Sequence, residues 1–175
     1  MKSIPRIASI CASAVLLAAT SAAFAQSNAS DEDKKFVEAA LKGGMSEVDL
    51  GNLAVKKGAS EDVKHFGQMM VEDHTKLGDH MKTVASEVGV TPPSMTTPSD
   101  IALKTKLEVL SGDTFDKAYI SAMVKDHEED LSDFKKEAAG ATSPAVKKAA
   151  HEGELVVSRH LAMIRRIAKA HNVTE

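Results

Sequence analysis

Apolar residues recur at spacings of three and four along four long segments of this chain. This spacing places the apolar side chains of each segment on one face of an α-helix. Residues that end or start helices separate the segments, namely Gly58, Gly89, Gly112, Gly140 and the pair Ser143-Pro144. No segment shows the alternation of apolar and polar residues that is typical of a β-strand. The pattern therefore predicts an all-α protein.

The connections between the four predicted helices indicate how the helices pack. Helices one and two share a short turn at Gly58, and helices three and four share another at Gly140. A proline-rich linker at residues 89–99 joins the two pairs. Two helical hairpins joined by one long crossover are the plan of a ferritin-like four-helix bundle, which we expect to span residues 31–175.

Two local features refine this plan. We expect Ser99 to cap a short extra helix that runs through the crossover to Leu110, and Asp113 to cap the third long helix. Gly43 and Gly44 lie side by side within the first helix, where each glycine costs roughly 1 kcal/mol relative to alanine. This pair predicts either a kink or a close approach of another backbone.

Residues 1–25 have the features of a cleavable signal peptide. A short basic start precedes an apolar run at residues 7–19, which is too short to span a bilayer comfortably. Ala23-Phe24-Ala25 then supplies the small residues that a signal peptidase recognises. An uncleaved membrane anchor is the alternative interpretation. We expect cleavage near Ala25, a periplasmic or secreted product, and a flexible segment at residues 26–30.

The composition of the exported chain excludes several functions. Its only cysteine, Cys11, lies in the predicted signal peptide, so we expect neither a disulfide nor a thiolate site. The leader also takes two of the 22 basic residues and none of the 25 acidic ones, which leaves a net charge of −5. An acidic chain lacks the basic surface that nucleic acids and anionic lipids attract. No later segment is long and apolar enough to cross a membrane.

The chain shows no arrangement of residues that is typical of a nucleophilic enzyme. We find neither a catalytic serine or cysteine pattern nor a glycine-rich phosphate loop, so we do not expect an enzyme of those classes. A bundle of this length can bury a core by itself, and it need not oligomerise. A protein of the cell envelope is a candidate partner.

Each long helix carries one side chain of a metal-binding type on its apolar face. These side chains are Glu47, His74, His127 and His160. Each lies near the midpoint of its predicted helix, so the four should converge at the centre of the bundle. Imidazole and carboxylate groups bind Fe, Mn, Zn or Cu. The sequence therefore predicts a transition-metal site at the midplane.

A short repeat places an Asp-His pair in two of the helices. Residues 70–74 match residues 123–127 at four of five positions. Asp73 and Asp126, directly before the two histidines, could orient an imidazole on a neighbouring helix or act as ligands themselves. Tyr119 is a further candidate for this supporting role. The acidic run at residues 128–130 is interpreted as a solvated face.

Three interpretations of the midplane cluster stay open at this point. In the first, it holds a metal in a stress or redox-protective protein. In the second, the same groups form a metal-free polar network, since buried polar groups can satisfy one another, and the protein acts through its surface as a non-enzymatic envelope or stress protein. In the third, the histidines become charged below about pH 6 and loosen the bundle.

Several motifs resemble a known family. They are Phe36-Val37-x-x-Ala40, Glu47-Val48-x-Leu50-Gly51, Met70-Val71-x-Asp73-His74, Phe115-Asp116-x-x-Tyr119, Met123-Val124-x-Asp126-His127 and His160-Leu161. This set resembles the secreted bacterial proteins grouped as domain of unknown function 4142, which are often described as outer-membrane or periplasmic proteins. The resemblance covers about residues 31–172 and implies a ferritin-like fold and export, but no activity.

One departure from di-iron ferritins limits what the resemblance implies. Those proteins carry a glutamate three residues before a histidine on two helices. Here Val71, Val124 and Val157 occupy the corresponding positions. We therefore do not expect iron storage or ferroxidase activity.

Overall fold

The computed structural model describes residues 29–174, and within that range the chain forms five helices and no strand. The helices are α1 (Asp31–Lys57), α2 (Glu61–Val88), α3 (Pro98–Glu108), α4 (Gly112–Gly140) and α5 (Pro144–Ala170). This confirms the predicted all-α class. The predicted signal peptide lies outside the described residues, and so do residues 26–28 of the predicted flexible segment. None of these five helices is long and apolar enough to cross a bilayer.

The four long helices pack as two hairpins. Short loops reverse the chain between α1 and α2 and between α4 and α5, and the partners of each pair pack along their lengths. The hairpins meet mainly through α2 and α5, and the connection between them contains α3. Amphipathic helices of this length bury their apolar faces best against one another, which accounts for the pairing.

The core consists of two apolar clusters, one toward each end of the molecule. The larger surrounds Phe66, Phe115 and Tyr119, and the smaller surrounds Leu41 and Met81. Along α2, the larger cluster ends at Met70 and the smaller begins at Met81, so that His74 falls between them. The centre of the molecule is therefore the place where the apolar packing gives way to polar side chains.

Two aspartates tie each hairpin to the loop of the other. On α1, the Asp33 carboxylate accepts hydrogen bonds from the backbone N–H groups of Thr142 and Ser143, at 3.1 and 2.8 Å. On α4, the Asp116 carboxylate accepts hydrogen bonds from the N–H groups of Ala59 and Ser60, both at 2.9 Å. Both aspartates are buried. Hydrogen bonds to a carboxylate are stronger than those between neutral groups, so these ties hold the hairpins together at both ends.

Two helix starts differ from the sequence prediction. Thr97, and not Ser99, caps α3, because its hydroxyl accepts a hydrogen bond from the Asp100 N–H and Pro98 occupies the first helical position. The N-cap of α4 is Ser111, and not Asp113. Gly112 has a φ of 60°, which lets the chain turn directly into this helix.

The close approach of α1 and α2 lies elsewhere than predicted. At Gly43 and Gly44, α1 continues as a helix, and an added Cβ would meet nothing within 4 Å. The backbones approach instead at Gly51 and Gly67, where a Cβ on either residue would lie 2.7 Å from the carbonyl oxygen of the other. A close approach at the 43–44 pair is therefore wrong, and these two glycines instead line a cavity, which is described below.

Candidate metal centre

The four long helices each contribute one buried side chain to the centre of the molecule. Glu47, His74, His127 and His160 come from α1, α2, α4 and α5, and at most 4 % of any of these side chains is exposed. Each lies on the apolar stripe of its helix, which forces it inward. The structure thus brings together all four side chains that the sequence singled out.

A continuous chain of hydrogen bonds links three of these side chains to Asp73. Glu47 Oε2 lies 2.7 Å from His74 Nδ1, and His74 Nε2 lies 3.2 Å from His160 Nδ1. His160 Nε2 lies 3.0 Å from Asp73 Oδ2, which also accepts a hydrogen bond from Arg159 at 3.1 Å. Asp73 therefore fixes the orientation of an imidazole on a neighbouring helix.

The hydrogen bonds in this chain are all donated in one direction, from Glu47 toward Asp73. An ionised Asp73 accepts the Nε2–H of His160, which leaves Nδ1 of that ring as an acceptor for the Nε2–H of His74. His74 Nδ1 then needs a donor, and a protonated Glu47 supplies it. Burial raises the pKa of Glu47 to about 8, which agrees with a neutral carboxyl group at pH 7.

His127 stands at the side of this chain with one ring nitrogen free. Its Nδ1–H donates to the Met123 carbonyl at 3.0 Å, so Nε2 carries a lone pair. Among the described residues, this Nε2 has no hydrogen-bond partner, and neither does Glu47 Oε1, which lies 3.7 Å away. Two buried acceptors that face each other are an unusual arrangement, which a bound cation would satisfy.

Burial also sets the charge of the imidazoles. It lowers the pKa of His74 and of His160 to about 4 and that of His127 to about 3. All three rings are therefore neutral at physiological pH. A neutral imidazole is the form that binds a metal ion.

Two groups of described side chains have the spacing of a metal site. One is His74, His127 and His160, whose ligand atoms all lie within 4.8 Å of one another. The other is Glu47, Asp126 and His127, at the same spacing. The second group includes Asp126, whose side chain lies beside His127 and is 40% exposed; partial burial and the nearby carboxyl of Glu47 raise its pKa to about 7.

The remaining candidate, Tyr119, lies near the centre but outside the hydrogen-bond chain. It is fully buried on α4, where its ring packs against those of Phe66 and Phe115 at centroid distances of 6.3 and 5.9 Å. Its hydroxyl has no hydrogen-bond partner within residues 29–174. Burial raises the pKa of Tyr119 above its usual range.

Sequence reasoning missed one acidic residue at the centre, Asp130. Burial raises its pKa to about 9, and the nearby carboxyl groups of Glu47 and Asp126, the first of them hydrogen-bonded to Asp130, act in the same direction. The sequence predicts a solvated face for the run at residues 128–130, whereas Asp130 is half-buried. The signal that could have identified it is its position four residues after Asp126, on the same side of α4.

Comparisons with known proteins agree with this fold. The sequence profile of the family described as Domain of unknown function (DUF4142) matches residues 18–167. The chain belongs to the DUF4142 family. Among solved structures, the protein is similar to a DUF305 fragment from Deinococcus radiodurans, with a TM-score of 0.72 and 13% sequence identity over 81% of this chain and 98% of that one. At this identity the likeness concerns the fold alone. No curated protein matches the chain.

Proposed function

We propose that this DUF4142 protein binds a transition-metal ion at the centre formed by Glu47, His74, His127 and His160. The observation that carries the proposal is the pair of buried, unpartnered acceptors, His127 Nε2 and Glu47 Oε1, 3.7 Å apart. Two further imidazoles lie beside them. Leaving buried acceptors without partners costs about 1–3 kcal/mol each, which a cation at this point would offset.

The donor set determines which ions fit. Three neutral imidazoles and one carboxylate suit Zn, and also Fe, Mn or Cu, whereas Ca and Mg prefer oxygen ligands. His74, His127 and His160 would hold the ion, with Glu47 as the fourth ligand. Asp126 offers an alternative oxygen ligand next to His127. A bound ion of this kind supplies either Lewis acidity or, for Fe, Mn and Cu, redox chemistry.

We also propose a setting for this activity. The two hairpins joined through α3 fit a ferritin-like four-helix bundle with one crossover. The signal-peptide features of residues 1–25 support export to the periplasm or beyond the cell. A metal-binding protein in that compartment would act in a stress or redox-protective role.

Elemental analysis tests the proposal. The protein is purified from the periplasm without chelators and without affinity-tag histidines, and its Fe, Mn, Zn and Cu contents are measured. We expect close to one equivalent of one metal, lost in His127→Ala. The matched control is His151→Ala, because the His151 side chain is 64% exposed and pairs with Glu154 on its own helix.

A second function has its own supporting observation. The chain from Glu47 through His74 and His160 to Asp73 is complete without a metal. It could therefore serve as a structural polar network in a non-enzymatic envelope or stress protein that acts through its surface. A protein that is purified without metal and does not bind added Zn²⁺ would favour this alternative and contradict the first.

A further inference from the structure

A cavity of about 80 Å³ leads from the surface to the candidate metal centre. Residues of α1, α2 and α4 line it, and Glu47 and His74 form its inner end. At its outer end lie the exposed Ala39 and Asp133. A buried water needs roughly 10–15 Å³ of such volume, so the cavity has room for several water molecules or for a partly hydrated ion.

Three glycines form the wall of this cavity. Gly43 and Gly44 on α1 and Gly78 on α2 line it, and a Cβ at any of them would meet nothing within 4 Å. Packing does not demand glycine here, in contrast to Gly51 and Gly67, where the backbones touch. A glycine inside a helix destabilises that helix relative to alanine. The three positions therefore keep a space open at the expense of stability.

The inner end of the cavity is polar and incompletely satisfied. Glu47 lines it, and the Oε1 atom of this buried side chain has no hydrogen-bond partner within the described range. His74 lies beside it and is also buried. A space that ends on an unpartnered carboxyl oxygen suits a ligand that offers positive charge.

Acidic side chains line one side of the cavity. Asp130 and Asp133 lie on its α4 side, and no lysine or arginine of residues 29–174 lines it. Asp133 is exposed at the mouth, where a carboxylate attracts cations and repels anions. The remaining lining is apolar or bare backbone, which offers little to retain an ion on the way.

We propose that this glycine-walled cavity is the route by which a divalent cation passes from solvent to the metal centre. The proposal rests on the proposed function, since it requires an ion to bind at the inner end. The proposal also gives a kinetic role to residues that supply no ligand atom to the metal. Gly43, Gly44 and Gly78 keep the route open, and Asp133 draws the cation to its mouth.

Filling the cavity tests the route. In the double variant Gly43→Leu/Gly78→Leu, two side chains project into the space, and leucine also favours the helix. Co²⁺ is mixed rapidly with the metal-free protein, and its visible absorption is followed to equilibrium. We expect loading to slow by about tenfold or more, as when binding requires a conformational change, with stoichiometry and Kd unchanged.

Gly140→Leu is the matched control, because it also adds a leucine into open space but lies at the end of α4, away from the cavity. It should load at the rate of the unmodified protein. Loading of the double variant at that same rate would overturn the proposal. So would a Kd that weakens in proportion to the rate, since the cavity would then be part of the site. If the unmodified protein itself binds no Co²⁺, that result contradicts the proposed function, and the route is contradicted with it.

A charge variant tests the mouth separately. Asp133→Asn should slow Co²⁺ association several-fold at low ionic strength. The difference should disappear near 1 M salt, where the Debye length is only about 3 Å. Asp113→Asn, which neutralises a carboxylate at the far end of α4, should leave the rate unchanged. An Asp133→Asn variant that loads at the unmodified rate in low salt would contradict the role of this residue.

Discussion

At the scale of single residues, the centre combines groups whose protonation states depend on one another. Glu47 donates to His74 as a neutral acid, while His160 donates to an ionised Asp73. Burial opposes ionisation of Asp73, but the hydrogen bond from His160 and the charge of Arg159 lower its pKa overall. Two carboxyl groups in one chain thus hold opposite states because only Asp73 is partly exposed and next to a cation.

Glu47→Gln separates metal binding from folding. The amide can donate to His74 Nδ1 as the neutral acid does. We therefore expect the free energies of unfolding of the metal-free variant and the unmodified protein to agree within about 1 kcal/mol at pH 7. Metal affinity should fall by at least about tenfold, because an amide oxygen is a weaker ligand than a carboxylate. Urea unfolding and Zn²⁺ competition titration measure the two effects. Unchanged Zn²⁺ affinity would remove Glu47 from the ligand set.

Sequence patterns located the four central side chains because each falls on the apolar stripe of a helix near its midpoint. The same patterns do not identify Asp130, because it follows two glutamates in an acidic run. Its burial depends on how α1 and α4 are spaced. The direction of the hydrogen-bond chain was also beyond the sequence. It depends on which ring nitrogen meets which neighbour, and this follows only from the tertiary packing.

At the scale of helices, the close contact of α1 and α2 depends on two glycines at positions that have no room for a side chain. Gly51 and Gly67 lie with their backbones in contact, and a Cβ on Gly67 would also lie 2.8 Å from that of Ala54. The sequence contains ten glycines, and periodicity does not reveal which of them face a partner helix. The same limitation led to the incorrect prediction for Gly43 and Gly44.

Gly67→Ala should destabilise the protein although alanine is the better helix former. Overpacking against a fixed backbone costs about 1–3 kcal/mol, which exceeds the gain of roughly 1 kcal/mol in helix propensity. Gly78→Ala is the control, because it gains the same propensity in open space and should stabilise the protein. Thermal unfolding of the two variants measures the difference. A Gly67→Ala variant as stable as Gly78→Ala would contradict the close contact.

Asp33→Asn should weaken the tie between α1 and the loop before α5. Burial alone would raise the pKa of Asp33, but hydrogen bonds from Thr142, Ser143 and Ser30 lower it to about 2. The ionised group therefore stabilises the fold above pH 3.8, its value when unfolded, and this contribution is lost as the pH falls toward 2.

We expect Asp33→Asn to cost about 2 kcal/mol at pH 7, the scale of hydrogen bonds to a charged group, and the difference to shrink below about pH 4. Urea midpoints between pH 7 and 2.5 provide the measurement, with Asp31→Asn in the exposed first turn of α1 as the control. A loss of stability that does not depend on pH would show that the charge of Asp33 plays no part.

At the scale of the whole molecule, periodicity and turn residues correctly predicted an all-α chain with four long helices and a short one in the connection. Such features depend on local sequence, which explains the success. The cross-ties of Asp33 and Asp116, by contrast, join residues about 110 and 56 positions apart. No local pattern reveals contacts of that kind.

The buried histidines make a pH-dependent contribution to the stability of the metal-free protein. Their pKa values lie near 3 to 4 when folded and near 6.5 when unfolded, so the unfolded chain binds more protons between these values. Their contribution to stability should therefore fall as the pH decreases from 6.5 to 4. Glu47, Asp126 and Asp130, whose pKa values burial raises, change stability in the opposite direction over this range. His127→Gln should reduce the slope of this fall in urea midpoints, whereas His151→Gln should not. Equal slopes in all three proteins would exclude a role for the central histidines in acid unfolding.

The central claim is that one metal ion lies among the imidazoles of His74, His127 and His160. The most direct measurement is anomalous X-ray diffraction at the zinc edge from crystals of the protein grown with Zn²⁺. We predict one strong peak within about 2.0–2.1 Å of a nitrogen from each of the three rings, the usual Zn–N distance. A map with peaks at surface side chains only, and none between these rings, would contradict the account.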